Sequence, residues 1–325
     1  MIYPRLNRVR NGQRLSVELV NGLIKRTEYA GDLLRQYKTI AGDDIAIEQQ
    51  YDGRIISSSI ATTPPYQIVG SYTKSGLRVG FVYDGATYTD IAFPGAPQTT
   101  CNDIYNGNIV GGRVLSDNIN TRGFVYSNGS YTELESPRVG GASNARGIYE
   151  NLITGTYRTL GNLAGGYLYD GSSYRIILPP GAINTFEPRI DQNTIVGRFQ
   201  TSANTSNRGF ITTTDLSSYT TFTVPGAIAA DGKGTLLTGV HNDTIVGFYF
   251  NASGGTTSFS LLGGNRTDFN YPGSIETRSI GIYENFIVGQ FVGQFDSGFF
   301  LYDGSAFTNI IQPSGVAQFN VFGIG

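Results

Sequence analysis

The strongest constraint on what this chain can fold into is a tripeptide that keeps returning. Ile-Val-Gly or a near variant ends at Gly70, Gly111, Gly155, Gly197, Gly247 and Gly289, at spacings of 41, 44, 42, 50 and 42 residues. Self-similarity at such a period marks a repeat architecture in which each copy is one supersecondary unit. Three further markers keep phase with it. Downstream comes a glycine-aromatic step: Gly80-Phe81, Gly123-Phe124, Gly166-Tyr167, Gly209-Phe210 and Gly298-Phe299, with Ser258-Phe259 in the fifth copy. A second apolar run follows, such as YTDIAF (88–93) or YRIILP (174–179), and Pro-Gly closes it at 94–95, 180–181, 225–226 and 272–273. Last comes a short segment ahead of the next copy: CNDIYN (101–106), RGIYEN (146–151), TGVHN (238–242) and SIGIYEN (279–285).

These markers read as four strands per copy: A (the IYEN segment), B (Ile-Val-Gly), C (the glycine-aromatic run) and D. Asp-Gly between the C and D runs is a tight hairpin signal, because both turn positions tolerate positive φ. Proline after D removes a ladder donor and ends pairing. Composition agrees: 44 glycines, 21 tyrosines, 19 phenylalanines and only 15% charged residues suit short strands joined by many turns. Four strands at this period match a β-propeller, whereas a β-solenoid coil is about half as long. Periodicity alone also permits a linear β array. The first Ile-Val-Gly strand, from Tyr66, lacks an A strand before it, and the C-terminal VFGIG (321–325) matches the missing piece. The expected fold is therefore all-β, a six-bladed β-propeller over residues 66–325 with four strands per blade, closed by pairing both chain ends.

Residues 1–65 stand outside the repeat and are expected to form a short helix-plus-hairpin attachment segment. Leu19, Leu23, Ala30, Leu33 and Tyr37 share one heptad-spaced seam over Val17–Tyr37. IAIEQQYDGRIISSSI (45–60) reads as two strands joined at Asp52-Gly53, and Thr62–Pro65 as a stiff linker. So small a segment buries too little to stand alone, so a partner is expected. Self-association, as a trimer for preference, would run through Leu19, Leu23, Leu33 and Tyr37. The first 40 residues hold eight Lys/Arg and three Asp/Glu, a net of +5, and the whole chain has a net charge of −2. The chain as a whole has no electrostatic bias toward nucleic acid or a membrane surface. No apolar run approaches the roughly 18 residues of a span, and the N-terminus lacks the apolar core of a signal peptide. Neither nucleic-acid binding, membrane insertion nor signal-directed export is expected. With one cysteine (Cys101) and one histidine (His241), neither an intrachain disulfide nor a familiar zinc site is available, and no metal or cofactor is expected.

Two stretches resemble known families. NLITGTY (151–157), GGYLYDGSSYRIILPPGA (165–182) and NFIVGQF (285–291) with GFFLYDGSAFTNI (298–310) resemble the tandem repeats of bacterial extracellular proteins of the HAF family. The fourth copy departs, with TTTD (212–215) in place of the YDG turn. That resemblance implies a surface-exposed adhesive or structural module. RTEYAGDLLRQYKTIAGDDIAIEQQYDGRIIS (26–57) is similar to the N-terminal region of fibre-type structural proteins in tailed phages, including cyanophages. It implies a shared anchor followed by an exchangeable host-facing domain. The two together suggest a virion structural protein of tail-fibre or receptor-binding type. Such a protein is assembled in the host cytoplasm and held to tail or capsid proteins through residues 1–65. A capsid-surface fibre or decoration, a bacterial adhesive propeller and a polysaccharide-degrading enzyme are the alternatives.

The search for chemistry points away from an enzyme. No GxSxG, HExxH or phosphate-binding loop is present. Asp84, Asp170 and Asp303 occupy the same YDG turn, whose geometry accounts for them. Glu150 and Glu284 are locked into the repeat, and His241 reads as a packed or turn-exposed imidazole. Strand-A carboxylates lining a central channel would be the best enzymatic alternative, since a glycosidase needs two carboxyls about 5–10 Å apart. Connection lengths point elsewhere. The A–B and C–D connections are tight; the B–C and D–A connections vary, as in VLSDNINTR (114–122), SPRVGGASNA (136–145) and PGAIAADGKGT (225–235). Variable loops on a rigid scaffold are where recognition sits. A host-surface glycan or protein is expected there, contacted by Arg122, Arg138, Arg158 and Arg208.

Overall fold

In a computed structural model, the described residues are 47–51, 54–58 and 64–325, apart from 118–119, 160, 162 and 203–204. Every helix or strand among them is a β-strand. The helix expected over Val17–Tyr37, with Leu19, Leu23, Leu33 and Tyr37, lies outside the described residues. The chain divides into two units, Met1–Pro64 and Pro65–Gly325. In the first, β1 (Ile47–Tyr51) and β2 (Arg54–Ser58) pair antiparallel from Ile47↔Ser58 to Tyr51↔Arg54, which is the hairpin expected around Asp52-Gly53.

The second unit repeats one motif. β3 (Ile68–Lys74), β4 (Leu77–Tyr83) and β5 (Tyr88–Ile91) are the B, C and D strands of the first copy. β6 (Thr99–Tyr105), β7 (Asn108–Val114), β8 (Thr121–Ser127) and β9 (Ser130–Leu134) form the next four-stranded antiparallel sheet. Another is β10 (Ser143–Tyr149), β11 (Leu152–Arg158), β12 (Ala164–Tyr169) and β13 (Tyr174–Ile177). β14 (Asn184–Asp191), β15 (Thr194–Gln200), β16 (Arg208–Thr213) and β17 (Tyr219–Phe222) follow. β18 (Thr235–His241), β19 (Thr244–Phe250), β20 (Thr256–Leu262) and β21 (Asn265–Phe269) are linked to the next set by one parallel pair, Thr256↔Glu276. That set is β22 (Glu276–Tyr283), β23 (Phe286–Val292), β24 (Ser297–Tyr302) and β25 (Phe307–Ile310). The last strand, β26 (Ala317–Ile324), returns to pair antiparallel with β3: Val321 faces Gly70 and Ile324 faces Ile68. Gly325 and Gln67 exchange backbone hydrogen bonds beyond them, at 2.7 and 3.0 Å. The A strand missing from the first copy thus comes from the other end of the chain.

Two of the phased sequence markers are cross-strand partners in five copies, and in the sixth the partner is Phe300, one residue past the Gly298-Phe299 step. Gly70 faces Phe81, Gly111 faces Phe124, Gly155 faces Tyr167, Gly197 faces Phe210, Gly247 faces Phe259 and Gly289 faces Phe300. Each aromatic is almost wholly buried, and its ring lies where a Cβ on the facing glycine would point. Strand A closes on the same glycine from the other side, so a methyl there would also meet a backbone carbonyl such as that of Thr100 or Leu236. The glycine is needed for space, and the aromatic fills the space it leaves.

Turn chemistry accounts for the other markers. The first residue of each A–B turn is left-handed: Asn106, Glu150, Gln192, Asn242 and Glu284 have φ of 47°, 52°, 50°, 44° and 52°. In the YDG turns, one carboxylate oxygen of Asp84, Asp170 and Asp303 accepts the N–H groups two and three residues on, at 2.7–3.0 Å. The preceding tyrosines, Tyr83, Tyr169 and Tyr302, donate to the turn glycine's carbonyl at 2.7–2.8 Å. These backbone bonds hold all three carboxyls below the usual carboxylate range.

The glycine-aromatic fit has a graded test. Gly111→Ala must displace both the Phe124 ring and the Thr100 carbonyl and is expected to cost about 2–3 kcal/mol. At Gly197 the strand-A carbonyl of Phe186 stands 3.1 Å from the Cβ position, so Gly197→Ala should cost about 1 kcal/mol less. Urea unfolding midpoints of the two variants check the order.

Candidate functional site

Because consecutive strands run antiparallel, the B–C and D–A connections lie on one side of the sheets and the A–B and C–D turns on the other. The variable-connection side carries most of the exposed large apolar side chains. Leu77, Val139, Leu163, Ile183, Ile275 and Phe295 lie in or beside these connections, and Leu178 and Ile311 at the ends of D strands. Val139 is 98% and Phe295 92% exposed, which leaves each ring or branch fully in solvent. A lone exposed apolar side chain needs no explanation; here several lie on the same side of the sheets, on the connections of different copies.

The structure brings three of the four expected arginines together around one D–A connection. Arg122, half-buried at the start of β8, donates through Nη1 to the Gly141 carbonyl. Arg138, inside the loop, donates through Nη1 to Thr159 O at 3.2 Å. The Arg158 backbone N–H donates to Ala142 O at 2.9 Å, and its side chain is exposed. Arg122 and Arg138 therefore brace the loop that lifts Val139 into solvent. Arg208 is exposed on β16, in a different sheet from all three. Sequence reasoning chose the cations and passed over Val139 and Phe295; the available signal was a single bulky apolar residue inside RVGGAS and GQFDSG.

A second cluster occupies the inner A strands. Where four copies have glycine before the Ile-Tyr or its equivalent (Gly147, Gly239, Gly281, Gly323), β6 has Asp103 and β14 has Arg189. Arg189 reaches three other strands at once. It donates to Asn102 O at 2.7 Å, to Arg146 O, and to Phe322 O at 2.7 Å, with Asp103 at 4.0 Å. Burial pushes the Asp103 carboxyl up to about 6, against the pull of Arg189 and the Ile148 N–H bond at 3.1 Å. This strand-A carboxylate is bracketed by a guanidinium that fills the gap between strands. Glu150 and Glu284 sit on exposed A–B turns, where left-handed φ explains their positions.

His241, half-buried at the end of β18, stands between Asp191 and Glu284, with Nδ1–Oδ1 at 3.5 Å and Nε2–Oε1 at 3.9 Å. Its ring packs on Tyr283 at 4.8 Å, and Asn242 lies 3.0 Å from Nε2. The Asp191 bond chiefly, with both carboxylate charges, raises its pKa above 6.5, against burial. Among the described residues its hydrogen-bond partners are carboxylates and an amide, with no hydroxyl or thiol positioned for activation. Here the imidazole ties three successive A–B turns together. Among the described residues no His/Cys/Asp/Glu group is arranged to hold a metal ion, and no helix is long and apolar enough to cross a membrane. Cys101 is buried as a free thiol, its pKa raised by burial.

The chain matches no protein-family model and no curated protein. Its likenesses are to solved structures. TolB from Acinetobacter baumannii is 11% identical over 81% of this chain and 68% of that one, at a TM-score of 0.54. Kuenenia stuttgartiensis hydrazine synthase is 10% identical over 80% of this chain and 47% of that one, also at 0.54. The β-propeller domain of the Trilobed protease from Pyrococcus furiosus is 11% identical over 80% and 86%, at 0.46. At such identities the likeness is one of fold: with its phased four-stranded sheets, the second unit is a β-propeller.

Two measurements probe the inner cluster. Arg189→Met leaves Asp103 buried beside three carbonyls without their donor, and is expected to cost about 3–5 kcal/mol in urea unfolding. Removing the carboxylate as well, as Asp103→Gly, should recover part of that loss. The pH dependence has a defined sign. Asp103 and His241 both have folded pKa values above their unfolded ones. Their contribution is full in acid and lost as pH rises through about 6 for Asp103 and above 6.5 for His241. The melting temperature should therefore fall as pH rises from the ordinary carboxylate range through about 6, from Asp103, and again above 6.5, from His241. His241→Gln should flatten the upper part of that profile by about 1–3 °C, or roughly 0.5–1 kcal/mol after solvent screening.

Proposed function

We propose that residues 66–325 form a closed six-bladed β-propeller with four strands per blade. The chain would be a structural protein of a tailed-phage particle, of tail-fibre or receptor-binding type. Closure is supported by the inner strands: β26 lies against β6, then β6 against β10, β10 against β14, β14 against β18, β18 against β22 and β22 against β26. Residues 1–65 are the attachment segment, docked on tail or capsid proteins and self-associating as a trimer. The virion role draws on the resemblance of residues 26–57 to phage fibre proteins.

The observation that carries the attachment reading is the one-sided gathering of exposed apolar side chains on the variable connections, with Val139 held out by a loop braced by two arginines. A propeller face of this kind meets a host-surface glycan or protein without chemical turnover. Binding energy at such faces concentrates in a few apolar and arginine anchors.

Mass spectrometry of gradient-purified phage particles is expected to find peptides of this chain at structural abundance. Recovery only from a bacterial envelope fraction would replace the virion reading with a bacterial adhesive one. Purified full-length protein should slow adsorption of the same phage to its host. Val139→Ser with Phe295→Ser should relieve that competition, whereas Asp170→Asn in a YDG turn should not.

A further inference from the structure

A cleft of about 450 Å³ opens on the variable-connection side, between the sheet of β22–β25 and strand β26 of the adjoining sheet. Its apolar lining is Phe291, Phe299, Ile310, Ile311 and Phe319, with Phe299 and Phe319 set edge to face at centroids 5.6 Å apart and Ile311 the most exposed of the set. Gln290 of β23 is the register partner of Phe299, which brings an amide beside the ring. Asn320 on β26 and Gln312 after β25 line the cleft as well. Two of these amides have one end committed: Gln312 Nε2 donates to Val316 O at 2.6 Å and Asn320 Nδ2 to Gln318 O at 2.7 Å. Their carbonyl oxygens are left as acceptors. No charged side chain lines the cleft.

We infer that this cleft binds a neutral saccharide unit, which makes it the glycan contact of the proposed attachment face; the biological setting rests on that reading. Sugar hydroxyls supply the donors that the amide oxygens of Gln312 and Asn320 call for. Gln290 offers both a donor and an acceptor. The C–H groups of a pyranose pack on the half-buried Phe319 ring and the exposed Ile311 side chain. An anionic sugar or a phosphate would enter a lining with no cation to offset the loss of its hydration. The volume falls in the range of compact-ligand pockets, about 300–1,000 Å³, and suits one or two sugar rings better than an extended peptide.

The test uses the full-length protein and a panel of methyl glycosides of glucose, galactose, mannose, rhamnose, fucose and N-acetylglucosamine. Galacturonic acid, N-acetylneuraminic acid and an unrelated neutral peptide are the comparisons. Saturation-transfer NMR finds the binder and calorimetry measures its affinity. At least one neutral glycoside is expected to bind, and Gln290→Ala or Asn320→Ala to weaken it about tenfold or more. Gln312→Ala, at an exposed position, provides a variant with little risk to folding, and unchanged melting temperatures confirm intact folds. Binding by none of the glycosides, binding only by the acids or the peptide, or affinity unchanged in all three variants overturns the proposal. Host adsorption of the same protein is measured in parallel. Adsorption without saccharide binding sinks the cleft alone, and saccharide binding in a chain missing from phage particles sinks the virion reading alone.

Discussion

The fold depends on one repeated exchange of volume: a strand-B glycine gives up its side chain so that the aromatic facing it on strand C can lie across the backbone. Phe81, Phe124, Tyr167, Phe210, Phe259 and Phe300 are among the largest fully buried side chains. Each covers the glycine opposite, and strand A closes on that glycine from the other side. Glycine in a strand interior ordinarily weakens it, because it packs nothing and loses more entropy than any other residue. Here the neighbouring ring supplies the packing. Because the pair is cross-strand, it also sets register: a one-residue slip would move the ring to the other face of the sheet and leave the glycine uncovered.

Repetition of this unit leaves the inner strands as the place where copies must differ. Identical glycines on all of them would leave a gap with bulge carbonyls pointing into it. Arg189 answers several of those carbonyls with one planar group, donating to Asn102, Arg146 and Phe322. The fork geometry of guanidinium makes this possible; a lysine would offer a point charge to the same set. Four of the equivalent sites keep glycine; at Gly147 a Cβ would stand 2.6 Å from Thr154 Oγ1 and 3.1 Å from the Arg189 Cα. The asymmetry is thus structural: one long cation in one copy and one buried carboxylate, Asp103, in another.

Much of this was legible in the sequence, because the signals are local and recur. The Asp-Gly and Tyr-Glu-Asn turns, the four strands per copy and the pairing of VFGIG with the first Ile-Val-Gly strand all follow from spacing and from residues that tolerate left-handed backbone. The pairing of β1 with β2 was legible from the alternation on either side of Asp52-Gly53. What stayed hidden was long-range and unrepeated. Arg189 breaks the pattern at a position where a departure from glycine reads as noise until its partners on three other strands are known. Arg122 and Arg138 were chosen as surface contacts, yet both spend a guanidinium N–H on a loop carbonyl. The exposure of Val139 and Phe295 depends on loop conformation, which composition does not encode.

The two sides of the sheets carry different chemistry for a reason that starts in the turns. The A–B and C–D connections accept few residue types, since they need left-handed φ or a carboxylate that accepts two backbone N–H groups. Asn, Asp, Gln, Glu and Gly meet those needs, and so Asp84, Glu150, Asp170, Asp243, Glu284 and Asp303 gather there with no lysine or arginine in the same turns. The acidity of that side is a by-product of turn geometry. The A–B turns are all two residues long, and the C–D connections run from two to five. The B–C and D–A connections carry neither restriction. They lengthen furthest, up to twelve residues between β17 and β18, and carry most of the exposed apolar tips without disturbing the pairing beneath. Recognition is therefore expected where the repeat leaves the chain free to change.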